Sequence, residues 1–308
     1  MSSDEQEEIF GAELTTSSEN TKTTEEILAE KEEFERQKLE SEEKYGKFAR
    51  QAGLVPPELL QRSSATIVGV GAIGRQVALQ LAAVGVPELT LVDFDTVEHT
   101  NVVSQGYFEL DLGRPKVEAT KQLIGLVAPQ CICNARNERF SIPVNSSVDV
   151  IYPDFRSRSD ASDFNCSAIF LCVDSMESRE FVFEKTPNFN YTNVEPSEPQ
   201  SGNVPIVIDG RMAAETIRVI SYVCGNPDYR TTLFDDSQAF VGSCTTQNTI
   251  YTANIAAGLM VQRFVNRLRM NSLKSPMSPE MTDILLSLND FSIVDMLSPK
   301  QEAVFGAG

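Results

Sequence analysis

The spacing of apolar residues changes from strand-like to helix-like between Ser64 and Val86 (SATIVGVGAIGRQVALQLAAVGV). A short apolar run comes first, as expected of a strand buried on both faces. A glycine-rich turn follows, and then apolar positions recur at helical spacing. Residues 88–95 (ELTLVDFD) return to a buried strand and complete a β-α-β unit. The same reading predicts a helix over 116–126, a strand over 167–174 and a helix over 175–185. Strands are predicted at 205–210 and 217–223, a long apolar-faced helix at 248–270, and a short strand near 284–288. Strands alternating with helices predict an α/β fold: a doubly wound, mostly parallel sheet with helices on both faces. No internal repeat is seen.

The start of the chain reads differently. Residues 1–24 are acidic and poor in aromatics, which predicts disorder. From Glu25 to Gly46 only Ile27, Leu28, Phe34, Leu39 and Tyr45 make a thin apolar stripe on a charged, solvated helix. The expected divisions are an acidic extension (1–44), a catalytic domain (45–295) and a short tail (296–308).

Composition excludes several function classes. The 308 residues carry 44 acidic against 26 basic side chains, a net charge of -18. Such a surface repels nucleic-acid phosphates and points to soluble partners. No apolar run is long enough to span a bilayer, and the polar N-terminus shows no signal peptide, so a cytoplasmic location is expected. Six cysteines include no pair at zinc-site spacing, and Cys131, Cys166 and Cys172 are expected to be buried thiols. His99 is the only histidine. Triads and metal sites built on several histidines are excluded.

Gly69, Gly71 and Gly74 fit G-x-G-x-x-G between a strand and a helix, which makes the fold Rossmann-like. The first glycine permits the tight turn, the second lets backbone approach a phosphate, and the third lets helix and strand pack closely. The helix N-terminus adds free N–H groups and a positive dipole end. Asp93 ends the second strand, where an acid can hold ribose hydroxyls. On these residues alone an NAD(P)-dependent oxidoreductase and an adenylating enzyme both stand.

Residues 93–120 (DFDTVEHTNVVSQGYFELDLGRPKVEAT) resemble the ThiF/MoeB/HesA and ubiquitin-activating family. Asp93, Asp95, Asn101, Gln105, Gly113 and Lys116 fall at the matching places. LCVDSMESR resembles the family's second acidic site, which holds Asp174. FARQ resembles a segment whose arginine, here Arg50, members often supply across a dimer interface. The likeness runs from about Tyr45 to about Leu268. It implies a homodimeric, ATP-dependent adenylyltransferase acting on the C-terminal carboxylate of a ubiquitin-like or sulfur-carrier protein. Lys116 would bridge the phosphates, Asp174 would hold Mg²⁺, Asp93 would grip the ribose, and Asn101 and Gln105 would orient phosphate or ribose oxygens. Because both reactants are anionic, charge neutralisation and alignment outweigh proton transfer.

Each residue also has a plainer reading: Asp95 as a turn cap, Lys116 as a surface lysine, Asp174 as a helix cap. Ser104 stands where the family usually has arginine. Arg50, Arg75 or Arg114 would then compensate, or the chain is a non-catalytic scaffold subunit. Cys244 precedes the long helix, whose N-terminus favours a thiolate, with Thr245 and Thr246 as caps. It reads either as a thioester nucleophile or as a small buried residue. Asp209 and Arg211 fall at the carboxyl edge of the sheet, with Glu215 a candidate partner for Arg211. The family's zinc-binding cysteine pairs are absent. The acidic extension reads either as a charged tail with no specific role or as a contact for the protein substrate or a conjugating enzyme.

Overall fold

The computed structural model describes residues 24–140, 166–185, 206–224, 226–234, 248–272 and 281–297. The chain divides into two units, one ending at Arg50 and the other starting at Gln51. The first contains α1 (Thr24–Tyr45), followed by a 3-10 turn that begins at Gly46. Leu28, Phe34 and Leu39 stand exposed on α1, and Arg36 pairs with Glu33 and Glu40 along it. A charged helix held by such i,i+3 and i,i+4 pairs is what the thin apolar stripe predicts. The disorder expected of residues 1–23 lies outside the described residues.

The second unit opens with α2 (Pro57–Leu60), β1 (Ser63–Val68), α3 (Ala72–Val84) and β2 (Glu88–Val92). It continues through α4 (His99–Gln105), α5 (Lys116–Val127), β3 (Ile132–Arg136), β4 (Cys166–Leu171) and α6 (Met176–Lys185). The hairpin β5 (Ile206–Ala213) and β6 (Thr216–Val223), then α7 (Ile250–Ser272), β7 (Thr282–Ser287) and β8 (Ser292–Asp295) complete it. The sheet order is β3-β2-β1-β4-β5-β6-β7-β8. Pairing is parallel from β3 to β5 and antiparallel from β5 to β8. From β1 the chain moves outward to β2 and β3, then returns to β4 on the other side. The carboxyl ends of β1 and β4 therefore flank the switch-point crevice where such sheets bind ligands.

Both sheet faces are covered, as strands buried on two sides require. Ile67 and Phe170 pack under Val77, Leu81, Met260 and Phe264 of α3 and α7. Ile169, Leu171 and Val207 face the other way, against Val182 and Phe183 of α6 and Tyr229. Each such side chain, fully buried, contributes about 1.5–3 kcal/mol. Among the described residues no helix is long and apolar enough to cross a membrane.

Four of the elements described were not anticipated: α2, α4, β3 and β8. Three strands differ from their expected ends, the first being β2, which stops at Val92 rather than at Asp95. β4 stops at Leu171, and residues 172–174 leave the sheet. β5 runs on to Ala213 because it pairs with β6 through a two-residue turn in which Ala214 takes φ 51°. Cys131 is half-buried rather than buried, the Cys172 thiol is enclosed and pushed up by burial as expected, the Cys166 side chain lies outside the described residues, and Cys224 is buried. Cys131 immediately precedes β3, an outer strand that covers little of it, although burial still pushes its thiol up to about 11.

Candidate active site

The crevice is built around the turn after β1. Gly69 takes φ +86°, and a Cβ there would lie 2.6 Å from the Cys172 carbonyl oxygen. A methyl on Gly74 would overlap the Gly69 carbonyl oxygen. Those two glycines are demanded by the protein's own backbone. Gly71 differs. A Cβ there would meet only the Gln105 amide, at 3.8 Å or beyond. The space before the α3 N-terminus is open, and glycine there serves something that approaches from outside. Gly71→Ala should therefore leave the melting temperature within a few degrees of wild type and weaken binding of a nucleotide phosphate by roughly tenfold or more, about 1.4 kcal/mol. A melting temperature that falls as far as that of Gly74→Ala would show that Gly71 is needed for packing instead.

Asp93 ties this turn to β2. Its carboxylate accepts the Val70 N–H at 2.6 Å and the Asp95 N–H at 2.8 Å. Burial pushes the Asp93 carboxyl above its ordinary value, against the two amides and Lys116, which lower it. Lys116 begins α5 and is buried. Its amide donates to the Asp95 carbonyl at 2.9 Å, and its Nζ meets Asp95 Oδ2 at 3.0 Å. Lys116 is thus an enclosed ammonium held beside the glycine turn by a half-exposed carboxylate, not a surface lysine.

The unforeseen α4 carries the next pair. Asn101 is buried, and its Oδ1 accepts the Glu98 N–H at 2.9 Å in a capping box. Gln105 Oε1 is buried with no hydrogen-bond partner among the described residues. Ser104 donates its hydroxyl to the Thr100 carbonyl at 2.6 Å. Tyr107, just beyond, donates to the Val70 carbonyl at 2.6 Å and so braces the glycine turn from the far side.

Asp174 stands exposed beyond β4. Among the described residues its side chain makes no hydrogen bond or ion pair, and Ser175 rather than Asp174 caps α6, accepting the Ser178 N–H at 3.2 Å. What holds this loop is Arg179 of α6. It donates to the carbonyls of Val173 at 2.6 Å and Ser175 at 3.2 Å, on either side of Asp174. Arg179 Nε in turn meets the fully buried Asp209 at 2.9 Å. Asp209 also takes Arg211 Nε and the Tyr229 hydroxyl, each at 2.8 Å. Burial alone would raise the Asp209 carboxyl, but Arg179 and Arg211 outweigh it and hold it below its ordinary value. The expected Arg211–Glu215 pair is not formed, because residues 211–213 are extended strand. Arg211 donates instead to the Thr232 carbonyl at 2.8 Å, and Glu215 accepts from the Tyr251 hydroxyl.

The carboxyl ends of β1, β2 and β4 thus gather Gly69, Gly71, Gly74, Asp93, Asp95, Asn101, Gln105, Lys116 and Asp174 around one crevice. Arg50 belongs to the N-terminal unit and is described with it alone. Cys244, Thr245 and Thr246 lie outside the described residues. Arg114 is committed to Asp111 at 2.7 Å. Arg179, Tyr107 and Tyr229 were missed. Only the spacing of Arg179, five residues after Asp174 on the next helix, was there to be seen. No group of three or more potential metal ligands occurs among the described residues. A lone free carboxylate suits Mg²⁺, which keeps several waters and shares phosphate oxygens rather than filling a protein cage.

A model of the ThiF family matches residues 48–303. Ubiquitin-like modifier-activating enzyme 5 of Oryza sativa subsp. japonica is 25% identical over 224 residues, 71% of this chain and 51% of that protein. Molybdopterin-synthase adenylyltransferase of Escherichia coli (strain K12) is 28% identical over 175 residues, 56% of this chain and 59% of that protein. The chain therefore spans about half the length of these relatives. Among solved structures, PaaA superposes with a TM-score of 0.54 at 19% identity, covering 92% of this chain and 76% of that one. E. coli MccB, solved with AMPCPP and MccA, superposes with a TM-score of 0.51 at 17% identity, covering 80% and 67%. These superpositions speak for the fold.

Proposed function

Because the chain belongs to the ThiF family, we propose that it uses ATP to adenylate the C-terminal carboxylate of a small protein. The observation that carries this reading is the enclosed Lys116 ammonium, 3.0 Å from Asp95, beside a glycine turn whose middle residue faces open space. A dehydrogenase would have no use for Lys116 and Asp174 as a set.

In the reaction a carboxylate oxygen bonds to the α-phosphorus as the bond from that phosphorus to the β-phosphate oxygen breaks. Pyrophosphate leaves with that electron pair. The attacking carboxylate is already ionised at neutral pH, so no general base is needed, in keeping with a site without histidine. What is needed is positive charge and alignment. Lys116 Nζ trades Asp95 for phosphate oxygens, and the α3 N-terminus adds its N–H groups. Each Asp93 oxygen uses one lone pair on a backbone amide and keeps another for a ribose hydroxyl. The amide groups of Asn101 and Gln105 align the remaining oxygens. Asp174 would hold Mg²⁺, which supplies charge neutralisation on the phosphates when bound.

The finer parts of the proposal are a ubiquitin-like or sulfur-carrier substrate, a homodimer with Arg50 reaching the partner's nucleotide, and a cytoplasmic location. Cys244 would take the activated protein as a thioester, and residues 1–44 would meet a conjugating enzyme or the substrate. ATP–pyrophosphate exchange with small proteins ending in glycine tests the core of it. Exchange that requires the terminal carboxylate and survives Cys244→Ala supports adenylation as the first step. Tight NAD binding without exchange for any such partner would replace it with the oxidoreductase reading.

A further inference from the structure

Arg75 follows the last glycine of the turn and sits in the first turn of α3, where it is only 4% exposed. Its side chain runs toward the end of α4. Nη1 lies 3.3 Å from where a Gly106 Cβ would stand, and the guanidinium carbon is 4.8 Å from the Tyr107 ring centroid and 5.8 Å from that of Phe108. Among the described residues this guanidinium makes no hydrogen bond and no ion pair, and its Nε is wholly enclosed without a partner. Asp111 is near enough to be felt, but its oxygens are engaged by Arg114 Nη1 at 2.7 Å and the Phe108 amide at 3.2 Å. Burial accordingly pushes Arg75 below the ordinary value of an arginine. An arginine enclosed without a counter-charge is costly, and two aromatic rings offset only part of that cost.

A second orphan lies beside it. Gln105 Oε1 is buried and unpartnered, with its amide next to the open side of Gly71. Rotating that amide turns a donor toward the same space. Beside the α3 N-terminus, an arginine is thus left without an acceptor and a neighbouring amide oxygen without a donor. Ser104 contributes nothing to it, since its hydroxyl is held by the Thr100 carbonyl. Arg114, Arg179 and Arg211 are each paired with a carboxylate, and Arg139 lies over the Phe94 ring at 4.1 Å.

We infer that Arg75 is a ligand of the nucleotide's β- and γ-phosphates, supplying the cation that position 104 does not. This rests on the adenylation reading. Tyr107 and Phe108 hold the guanidinium plane in place, so its donors face phosphate oxygens with little reorganisation, and a fork suits two oxygens at once. After the α-phosphorus bond breaks, the same donors neutralise the departing pyrophosphate.

The test compares Arg75→Met, which keeps the stem against the rings without the charge, with Arg75→Lys. Binding of ATP, inorganic pyrophosphate and adenosine is measured by calorimetry, alongside melting of the free proteins. The Met variant should melt at or above the wild-type temperature. It should bind ATP and pyrophosphate at least tenfold more weakly while adenosine affinity is unchanged, and Lys should recover part of the loss. Equal ATP affinity in wild type and Met variant overturns the assignment and leaves adenylation intact. A lowered melting temperature with proportionate losses for ATP and adenosine makes Arg75 a structural pin and also overturns it. A wild-type protein that binds neither ATP nor pyrophosphate sinks both readings. If the Met variant does not fold, Arg75→Lys and Arg75→Gln carry the same comparison.

Discussion

Replacing Lys116 by methionine should lower ATP–pyrophosphate exchange by about two to three orders of magnitude, the scale expected for one preorganised charge at a phosphate. The melting temperature should move little. Methionine keeps the buried stem at the start of α5, and Asp95, the carboxylate left behind at 3.0 Å from the lost ammonium, is half-exposed and can be solvated. Steady-state exchange and thermal melting on the same samples check this. Exchange retained within threefold of wild type would remove Lys116 from the phosphate site and return it to a structural partner of Asp95.

Asp209→Asn should have the largest effect on stability. The substitution keeps the shape but leaves Arg179 and Arg211 facing a neutral amide in a buried cluster, where breaking such a pair typically costs about 3–5 kcal/mol. For a domain of this size that corresponds to a fall of roughly 10 °C in melting temperature. The pH dependence has a definite sign. The folded-state value of Asp209 lies below its ordinary one, so its contribution is fully present above about pH 5. It is lost as pH falls through the folded value. The gap between wild type and variant should therefore be constant from neutral pH to about 5 and narrow below about 4. Melts from pH 3 to 7 read it directly, and a gap that widens in acid would contradict the assignment. Because Arg179 also holds the carbonyls flanking Asp174, exchange in the variant should fall even at temperatures where it stays folded.

These expectations come from two kinds of information in the chain. Local information was legible in the residues themselves. The change from strand to helix period around Gly69, Gly71 and Gly74 located the phosphate turn, and the spacing from Asp93 to Lys116 and on to Asp174 carried the family resemblance. Both depend on neighbours in sequence and on the period of each element. The antiparallel half of the sheet was less legible. The β5–β6 turn is Ala214–Glu215, without the glycine or asparagine that usually marks a two-residue hairpin. β8 is exposed along its whole length and the outer strand β3 is only partly covered, so neither has a buried run to betray it. α4 is a short, polar helix held by the Glu98–Asn101 capping box rather than by an apolar face.

Tertiary structure alone decided which charges meet. Asp209 joins Arg179 from 30 residues earlier, not Glu215 with Arg211, because β5 continues as strand past the point where a helical pair would have formed. Lys116 is enclosed because the β2–α5 connection folds back until its amide reaches the Asp95 carbonyl. Arg75 is left without a carboxylate because Asp111, its nearest acid, is already engaged by Arg114. Sequence by itself determined the elements and the phosphate turn, since backbone sterics and hydrophobic period act over a few residues. Which side chain is paired, and which is left facing the crevice, depends on distances between residues far apart in the chain, and those exist only once the sheet has brought its strand ends together.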